Sequence, residues 1–293
     1  FGPASSILEH LASKFEVKNL GFPTNFLSVK FTRRNNSLIL SQTQFIEQIL
    51  KKFHMENSKP VGTPMVKSLT DDQTEPFDQK TYQKAIGSLI YLATTSRPDI
   101  HYAVCKLSRH MQNPTKSTWE QTKRIFRYLR GTSTLGVKFK PSSEGLSAFS
   151  DSDLGGIQHS KSTSGILITH NSNPITWKSQ LQSHTAISTT EAEYYALSQT
   201  TKEIIYLKDL LNEIQIQTQT PTINVDNQSC ITFAQTNKYN ANTRHISLRF
   251  HFVKEKVEEK QIEIKYIKSE NNLADVFTKP LPKPQFIKLT SEL

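Results

Sequence analysis

Cysteine and long apolar runs are scarce in this 293-residue sequence. Its two cysteines, Cys105 and Cys230, can build neither a disulfide framework nor a Cys-rich zinc site, so a reducing compartment fits best. The longest apolar run, residues 89–93, is far shorter than the roughly 20 residues that span a bilayer. The glycine-rich phosphate loops GxxxxGKS/T and GxGxxG are also absent from the sequence. The composition therefore gives no support to a secreted disulfide module, a membrane span or a P-loop.

Positive charge is concentrated in the first half of the chain. Residues 1–145 carry 21 Lys and Arg against 11 Asp and Glu, whereas residues 146–293 carry 15 of each kind. A one-sided basic surface favours a polyanionic partner, most often a nucleic acid. On charge alone, a solvated surface with surplus lysines is an equal alternative. The 35% hydrophobic content is typical of a folded chain, and the length predicts about two domains.

Turn-rich segments at residues 54–78 and 140–145 divide the sequence into three parts. The first part predicts a helix over 5–15, a strand over 25–32, a return strand over 38–40 and a helix capped by Ser41. The middle part predicts three helices, over 79–96, 99–111 and 116–131. The last part predicts strands over 146–151, 164–170 and 175–178, a helix over 189–214, a strand over 222–226, helices over 228–236 and 243–259, a strand over 262–267 and a helix over 271–278. This order predicts an α/β architecture with hairpins first and crossovers later.

Four acidic residues occupy positions at which a site can form on a sheet edge. Asp151 and Asp226 are expected at the carboxyl ends of strands, Glu193 on the long helix and Asp275 near the start of the last helix. Taken singly, a turn role for Asp151 and a helix-cap role for Asp226 are each more common than a catalytic role, and Asp275 fits a charge at a helix N-terminus. Together they favour metal chemistry, because Mg²⁺ prefers carboxylate oxygens and relieves the repulsion between them. Two such ions about 4 Å apart activate water and stabilise the leaving oxygen in phosphodiester hydrolysis.

The helix periodicity distinguishes Glu193 from Glu191. At about 100° per residue, four apolar residues fall within about 40° of Glu193, namely Leu197, Ile204, Leu207 and Leu211. Glu191 lies about 160° away, on the side of Ser198, Lys202 and Asp209. The pattern therefore predicts that Glu193 points from the face that packs on the sheet and that Glu191 faces solvent.

Motifs along nearly the whole chain carry a family resemblance. In the second half these are Ser150-Asp151-Ser152-Asp153, Ser162-Thr163-Ser164-Gly165, Ile175-Thr176-Trp177-Lys178-Ser179, Ser188-Thr189-Thr190-Glu191-Ala192-Glu193-Tyr194, Val225-Asp226-Asn227, Arg244-His245-Ile246 and Ala274-Asp275-Val276-Phe277-Thr278-Lys279-Pro280-Leu281. In the first half they are Lys18-Asn19-Leu20-Gly21, Leu40-Ser41-Gln42, Lys59-Pro60-Val61, Thr63-Pro64-Met65, Gly87-Ser88-Leu89-Ile90-Tyr91-Leu92, Ser96-Arg97-Pro98-Asp99-Ile100 and Leu129-Arg130-Gly131-Thr132. The sequence resembles the C-terminal part of copia-type LTR retrotransposon Pol polyproteins, from the segment after the polymerase active site through ribonuclease H.

The resemblance implies a fold and a division of the chain. The expected fold class is α/β, an RNase H-like mixed sheet with flanking helices, preceded by a smaller, mostly helical α+β thumb and connection region. The implied boundaries are 1–58 for the C-terminal palm edge and thumb segment of a reverse transcriptase, 59–78 for a linker, 79–143 for the helical connection and thumb region, and 144–293 for the RNase H domain.

The resemblance also implies an activity, which is hydrolysis of the RNA strand of RNA–DNA hybrids during reverse transcription. Its catalytic and metal-binding residues are Asp151, Glu193, Asp226 and Asp275, the four reached from the residues alone. They would hold two Mg²⁺ ions, for which Mn²⁺ can substitute. The implied partners are RNA–DNA hybrid, duplex nucleic acid and the remaining Pol segments (polymerase fingers and palm, and integrase), with no membrane. The implied location is the cytoplasm, in a virus-like particle, or the nucleus.

One departure from the family pattern concerns polymerisation. The family carries a Tyr-x-Asp-Asp turn just before the first helix seen here, and Phe1-Gly2-Pro3-Ala4 stands in its place. The only Asp-Asp pair, Asp71-Asp72, falls in the predicted linker. We therefore expect that this piece lacks the polymerase active site and does not polymerise DNA alone.

Two groups of residues are candidates for contact with nucleic acid. The predicted helix over 116–131 interleaves basic and aromatic residues, with its charges on Lys116, Lys123, Arg124, Arg127 and Arg130. A phosphate-tracking face and a merely solvated basic face both fit this pattern. In the second half the candidates are Ser164, Asn227, Arg244, His245 and Arg249, which could reach a sugar hydroxyl or a phosphate, although capping roles are at least as common.

Three function classes fit these observations. The first is the metal-dependent ribonuclease H. The second is a non-catalytic or domesticated remnant that binds nucleic acid through its basic first half. The third, an integrase or transposase, shares the RNase H-like fold but usually completes its site with a glutamate on the last helix, where this chain has Asp275.

Overall fold

A four-stranded antiparallel sheet joins the start of the chain to residues 136–139. In the computed structural model, which describes residues 9–18, 21–67, 75–155, 161–235 and 247–293, the strands are β1 (Asn25–Phe26), β2 (Val29–Arg34), β3 (Ser37–Ser41) and β4 (Gly136–Phe139), paired in that order. The prediction of one strand over 25–32 was wrong, because Leu27 and Ser28 adopt positive φ angles of 48° and 62° and separate β1 from β2. The sequence pattern also missed β4.

Four helices form most of the first core. They are α1 (Thr43–Lys52), α2 (Gln79–Thr95), α3 (His101–Ser108, after a 3₁₀ turn at Pro98–Ile100) and α4 (Lys116–Gly131). Asp78 caps α2 by accepting a hydrogen bond from the Thr81 N–H. Thr115 and Thr118 form a reciprocal capping box at the start of α4, which begins and ends where the sequence predicts. The predicted cap at Ser41 was wrong, because Ser41 ends β3 and Gln42 precedes α1 without a side-chain cap bond.

A buried polar network ties α4 to the turn before α3. The Arg97 guanidinium is 1% exposed and donates two hydrogen bonds to the Asp99 carboxylate, at 2.9 and 2.7 Å. It also donates to the backbone oxygen and the hydroxyl of Thr132, and the Tyr128 hydroxyl donates to Asp99. The charge of Arg97 is thus compensated inside the core, which is the condition for burying a charge at tolerable cost. This network gives a structural reason for the Ser96–Ile100 and Leu129–Thr132 motifs.

A five-stranded mixed sheet forms the second half of the chain. Its strands are β5 (Leu146–Asp153), β6 (Thr163–His170), β7 (Asn173–Leu181), β8 (Thr222–Val225) and β9 (Glu263–Tyr266), with the spatial order β7-β6-β5-β8-β9. The first three strands are antiparallel to one another, whereas β8 is parallel to β5 and β9 is parallel to β8. The helices are α5 (Thr189–Glu213), α6 (Gln228–Gln235) and α7 (Ser247–Glu258). This mixed sheet with flanking helices confirms the predicted fold class.

The last segment of the chain joins the two halves. Two 3₁₀ helices, Ser269–Asn271 and Leu273–Phe277, are followed by α8 (Lys283–Thr290), which the sequence pattern missed. Val276, Phe277 and Phe286 belong to the first core, together with residues of α1 to α4. The second core lies between the sheet and α5, α6 and α7. The predicted boundaries near residues 58, 78 and 143 stay a prediction.

The predicted helix over 5–15 begins outside the described residues, and the predicted helix over 243–259 begins there as well. Within the described part of the chain, no helix has both the length and the apolar character that a membrane crossing requires.

Candidate metal centre

Three aspartates from distant parts of the chain meet at one edge of the second sheet. Asp151 lies in β5 and is 2% exposed, Asp226 follows β8 directly, and Asp275 lies in the 3₁₀ helix Leu273–Phe277. Each offers a carboxylate oxygen, and these oxygens all lie within 4.8 Å of one another. Oxygen donors at this spacing suit a hard divalent cation such as Mg²⁺ or Mn²⁺. The predicted last helix over 271–278 is two short 3₁₀ helices, the second of which holds Asp275, and α8 follows them as the last helix.

Glu193, the fourth predicted acid, lies on α5 beside the cluster and is not one of the three residues whose oxygens converge within 4.8 Å. Burial and the charges of Asp151 and Asp226 raise the pKa of Glu193 to about 9, while a hydrogen bond from the Ser152 backbone acts in the opposite direction. The electrostatic influence of both aspartates indicates that Glu193 faces the same cluster. Leu197 and Ile204 on the same helix face are fully buried, as the periodicity predicts.

Lys279 supplies the positive charge in this cluster. Its Nζ atom lies 2.8 Å from Asp275 Oδ1 and 3.5 Å from Asp151 Oδ2. Asp151 also accepts a hydrogen bond from the Thr278 hydroxyl, and Gln285 Nε2 donates to Asp275 Oδ2 at 3.4 Å. Burial and Asp151 raise the pKa of Asp275 to about 7, although the charge of Lys279 acts to lower it. The two carboxylates raise the pKa of Lys279, so the ammonium stays charged.

Gly165 allows the segment that carries Asp275 to lie against β6. A Cβ atom at position 165 would come within 2.6 Å of the Ala274 backbone oxygen and of Thr278 Cγ2. The Asn272 side chain fixes the same segment to β5, because its amide donates to the Ser150 backbone oxygen at 3.0 Å while its oxygen caps Ala274. Gly165 and Lys279 lie within the family motifs, but the sequence pattern indicates no role for either of them. The only signal was a glycine inside a strand pattern, which often marks a close backbone approach.

The prediction that Glu191 faces solvent was wrong. Glu191 is 5% exposed, and its carboxylate accepts a hydrogen bond from the Ile187 N–H at 2.8 Å. Its other oxygen lies 3.7 Å from His184 Nε2. Glu191 lies in the first turn of α5, where a carboxylate folds back to satisfy N–H groups before the helix. The loop between β7 and α5 packs over this turn. The periodicity of a helix takes no account of contacts from residues outside that helix, so it could not predict the burial of Glu191.

The arginines predicted to contact nucleic acid hold the chain before α2 in place. Arg124 donates to the Thr63 hydroxyl at 2.9 Å, Arg127 to the Lys59 backbone oxygen at 2.8 Å, and Arg130 to the Glu56 backbone oxygen at 2.6 Å. Lys116 pairs with Glu75, and Lys123 pairs with Glu120 at 2.5 Å. Each guanidinium has further N–H groups, so a role of this helix in phosphate contact stays a prediction.

The second group of predicted contacts is divided among different environments. Ser164 is 3% exposed and accepts a hydrogen bond from the Gln182 amide, whereas Asn227 caps α6 by accepting from the Cys230 N–H. The Arg249 guanidinium lies over the Tyr195 ring, 4.4 Å from its centroid. Arg244 and His245 lie outside the described residues. The role of this group stays a prediction.

The strand order and the carboxylate cluster define the class of the second half, an RNase H-like domain with a candidate metal centre. Among solved structures, this half is similar to LC11-RNase H1 isolated from compost, at 19% identity over 46% of this chain and 92% of that one, with a TM-score of 0.37. The strand order, and not this distant likeness, carries the fold assignment.

The sequence comparisons give the family. The family model described as reverse transcriptase (RNA-dependent DNA polymerase) matches residues 4–67. The retrovirus-related Pol polyprotein from transposon TNT 1-94 of Nicotiana tabacum is 38% identical over 97% of this chain, and that from transposon RE1 of Arabidopsis thaliana is 34% identical over 98%. The chain belongs to the copia-type retrotransposon Pol polyproteins. It spans 22% and 20% of the length of these two relatives.

Proposed function

We propose that this chain is a divalent-metal-dependent ribonuclease H, which hydrolyses the RNA strand of an RNA–DNA hybrid. The observation that carries the proposal is the convergence of Asp151, Asp226 and Asp275 within 4.8 Å at the edge of an RNase H-like sheet. Membership of the Pol family supports a role on the nucleic acids of reverse transcription. This activity belongs to the part of Pol that the chain spans, and no polymerase activity is proposed for it.

The residues of the cluster fit a metal centre by their chemistry. Asp151, Asp226 and Asp275 would hold the ions, with Glu193 contributing from α5, and Mn²⁺ could replace Mg²⁺ at such oxygen ligands. Bound ions would supply the activation of water and the neutralisation of charge on the leaving oxygen. Without ions, only Lys279 among the described residues forms an ion pair with the cluster. One ammonium cannot neutralise the four carboxylates once all of them are ionised, and this deficit is consistent with a site built for divalent cations.

The remaining residues of the cluster fix its geometry. Asn272 and Gly165 hold the Asp275 segment on β5 and β6, and Thr278 orients the Asp151 carboxylate by donating to it. The raised pKa values of Glu193 and Asp275 mean that each carboxyl retains a proton more strongly than an exposed one does. Both groups would therefore release protons when ions bind, and the affinity for the ions rises with pH.

The basic first half would grip the duplex independently of its sequence. The excess of positive charge over residues 1–145 supports contact with phosphates, which is salt-dependent and carries no sequence information. The remaining Pol segments are its proposed partners, and the cytoplasmic virus-like particle or the nucleus is its proposed location.

The second candidate is a non-catalytic module that binds nucleic acid. The contact of Lys279 with two of the three clustered aspartates favours it, since an internal cation can stabilise an acidic cluster without any metal. The presence of all four carboxylates argues for the enzyme, because a site that no longer cuts has no need to retain them.

Cleavage of an RNA–DNA hybrid tests the two candidates. The full chain is expected to cut the RNA strand with Mg²⁺ or Mn²⁺ and to lose activity in Asp226→Asn, which keeps the side-chain volume but removes the charge. Asp209→Asn on α5 is a control away from the cluster. Hybrid binding without cleavage under either metal would favour the second candidate, and full activity of Asp226→Asn would exclude the metal assignment.

A further inference from the structure

A cleft at the junction of the two halves carries positive charge that nothing in the described chain neutralises. This junction cleft has a volume of about 370 Å³ and is lined by Gly62, Thr63, Lys67, Arg124, Pro282 and Lys283, among others. Three of these residues are cations and none is an acid. Among the ion pairs of the described residues, none involves Lys67, Arg124 or Lys283.

Arg124 lines the junction cleft. One of its terminal nitrogens donates to the Thr63 hydroxyl at 2.9 Å, but its Nε atom is buried without a hydrogen-bond partner in the described part of the chain. Burial and the neighbouring charge of Arg127 both lower the pKa of Arg124. A buried guanidinium N–H without a partner costs free energy, which an anion in the cleft would recover.

Lys283 brings a second cation to the mouth of the cleft. It begins α8, and its side chain crosses Gly62, so that a Cβ atom at position 62 would come within 2.7 Å of Lys283 Cε and 3.2 Å of its Nζ atom. The absence of a side chain at Gly62 thus lets the ammonium lie beside Thr63. A charged fork and an ammonium that converge on one cleft suit a tetrahedral oxyanion such as a phosphate.

The position of the cleft connects it with the metal centre. Lys279, which pairs with Asp275 and Asp151, precedes Lys283 by four residues, and four residues span at most about 14 Å. The phosphates of one strand repeat about every 3.4 Å along the helix axis, so the cleft is within the reach of a few nucleotides from the carboxylates.

We propose that the junction cleft binds a phosphodiester of the nucleic-acid backbone through Arg124 and Lys283. The choice of a nucleic-acid phosphate as the ligand rests on the proposed function. The site would fix the register of one strand relative to the carboxylates without reading its sequence. Lys67, at the edge of the cleft, would add to the attraction without a defined hydrogen bond.

A binding measurement tests the proposal without requiring cleavage. Fluorescence anisotropy reports the binding of an RNA–DNA hybrid to the full chain in EDTA at a series of salt concentrations. Lys283→Gln and Arg124→Gln are each expected to weaken binding about 10-fold at low salt. Each should also reduce the slope of log affinity against log salt by about 1. Lys288→Gln is the matched control, because it removes the same charge from α8 on a face about 140° away.

Inorganic phosphate provides a second readout of the same cleft. It should raise the melting temperature of the wild-type chain more than that of Lys283→Gln, because it stabilises only a folded state that binds it. Arg124→Lys retains the charge and should keep the salt slope. A reduced slope in Arg124→Gln alone would then report the lost charge and not a failure to fold.

Unchanged salt slopes in both glutamine variants would overturn the proposal, whether or not the chain cuts hybrids. Asp71 and Asp72 lie outside the described residues and are candidates for an internal anion. If their replacement by Asn lowers stability while Lys283→Gln leaves the salt slope unchanged, the cleft binds the chain's own carboxylates and the proposal fails. A chain that never cuts but shows the reduced slopes would support the cleft and contradict the proposed function.

Discussion

The Nζ atom of Lys279 lies 2.8 Å from Asp275 Oδ1, four residues earlier in the chain, and 3.5 Å from Asp151 Oδ2, which is 128 residues away. A single ammonium therefore links the first strand of the second sheet to the final segment that packs on it. The same two carboxylates are proposed ligands of a metal ion. A bound ion would therefore compete with Lys279 for these two carboxylates.

Replacement of Lys279 by Gln is expected to lower the stability of the metal-free chain by about 1–3 kcal/mol near neutral pH, because a charged hydrogen bond is lost and the carboxylates repel one another. Mg²⁺ should then raise the melting temperature of this variant more than that of the wild type. Thermal denaturation with and without Mg²⁺ measures both effects, with Lys288→Gln as a control. Equal stabilisation of the two chains by Mg²⁺ would contradict the competition.

The metal-free chain should lose stability as the pH rises. The pKa values of Asp275 and Glu193 are raised to about 7 and about 9 in the folded chain, whereas unfolded carboxyls titrate near pH 4. The folded state therefore binds more protons than the unfolded state between these values, and the free energy of unfolding falls from about pH 4 to about pH 9.

Asp275→Asn and Glu193→Gln should each flatten this pH dependence, and Mg²⁺ should oppose it because it binds the ionised forms. One pKa unit corresponds to about 1.4 kcal/mol, so each variant is expected to be more stable than the wild type above pH 8 without metal. Urea denaturation at several pH values in EDTA is the measurement. Wild-type stability that stays constant from pH 5 to pH 9 would contradict the burial of these two carboxyls.

Glu193 and Glu191 should separate catalysis from folding on a single helix. Glu193→Ala is expected to reduce hybrid cleavage at least about 100-fold, since the loss of even an outer-shell metal partner costs 10- to 100-fold. Glu191→Ala loses the hydrogen bond to the Ile187 N–H and should cost about 1 kcal/mol of stability, with cleavage retained below the melting temperature. Cleavage assays and thermal denaturation of the matched pair check both outcomes. Loss of cleavage in Glu191→Ala, with cleavage retained in Glu193→Ala, would contradict the assignment of Glu193 to the site.

Gly165→Ala should damage the site through backbone displacement alone. The added methyl group would lie 2.6 Å from the Ala274 backbone oxygen, so the segment that carries Asp275 must move away from β6. We expect a loss of about 1–3 kcal/mol from overpacking, together with a fall in cleavage. Gly87→Ala is the matched control, because an added Cβ in α2 meets no atom within 4 Å and should stabilise the helix by about 0.5–1 kcal/mol. A fully active Gly165→Ala chain would show that the close approach is not required.

The buried pair of Arg97 and Asp99 should be important for stability and not for chemistry. Arg97→Met leaves the Asp99 carboxylate buried without its cation and is expected to cost about 3–5 kcal/mol. Lys123→Gln, which breaks the more exposed pair with Glu120, should cost less than about 1 kcal/mol. Urea denaturation measures both changes, and similar small losses in the two variants would contradict the account of the network.

Periodic features of this chain are readable from the sequence, whereas features created by distant contacts are not. The apolar stripe of α5 predicts the inward direction of Glu193, and the pattern over residues 116–131 predicts the bounds of α4. The strand β4 was missed, and it is held in place by pairing with β3, a distant segment of the chain. Pro282 and Pro284 suggest a turn, although a proline is compatible with the first turn of α8.

The site shows the same limit of sequence reasoning. The four acids are identifiable by type and position, because strand ends and a buried helix face are local properties. The contacts of Lys279 and Gly165 depend on where the final segment packs, which no local pattern encodes. The basic residues of α4 have the expected composition, but their hydrogen bonds to residues 56–63 depend on the path of that preceding segment.

The packing of the final segment has a consequence for the biosynthesis of this protein. Asp275, Phe277 and Phe286 follow all five strands of the second sheet in the chain, yet Asp275 completes the acidic cluster and the two phenylalanines contribute to the first core. A nascent chain that has already formed β5 to β8 therefore cannot yet assemble the centre. We expect a chain terminated before residue 272 to be unable to cut nucleic acid, so that nuclease activity reports translation of the whole segment.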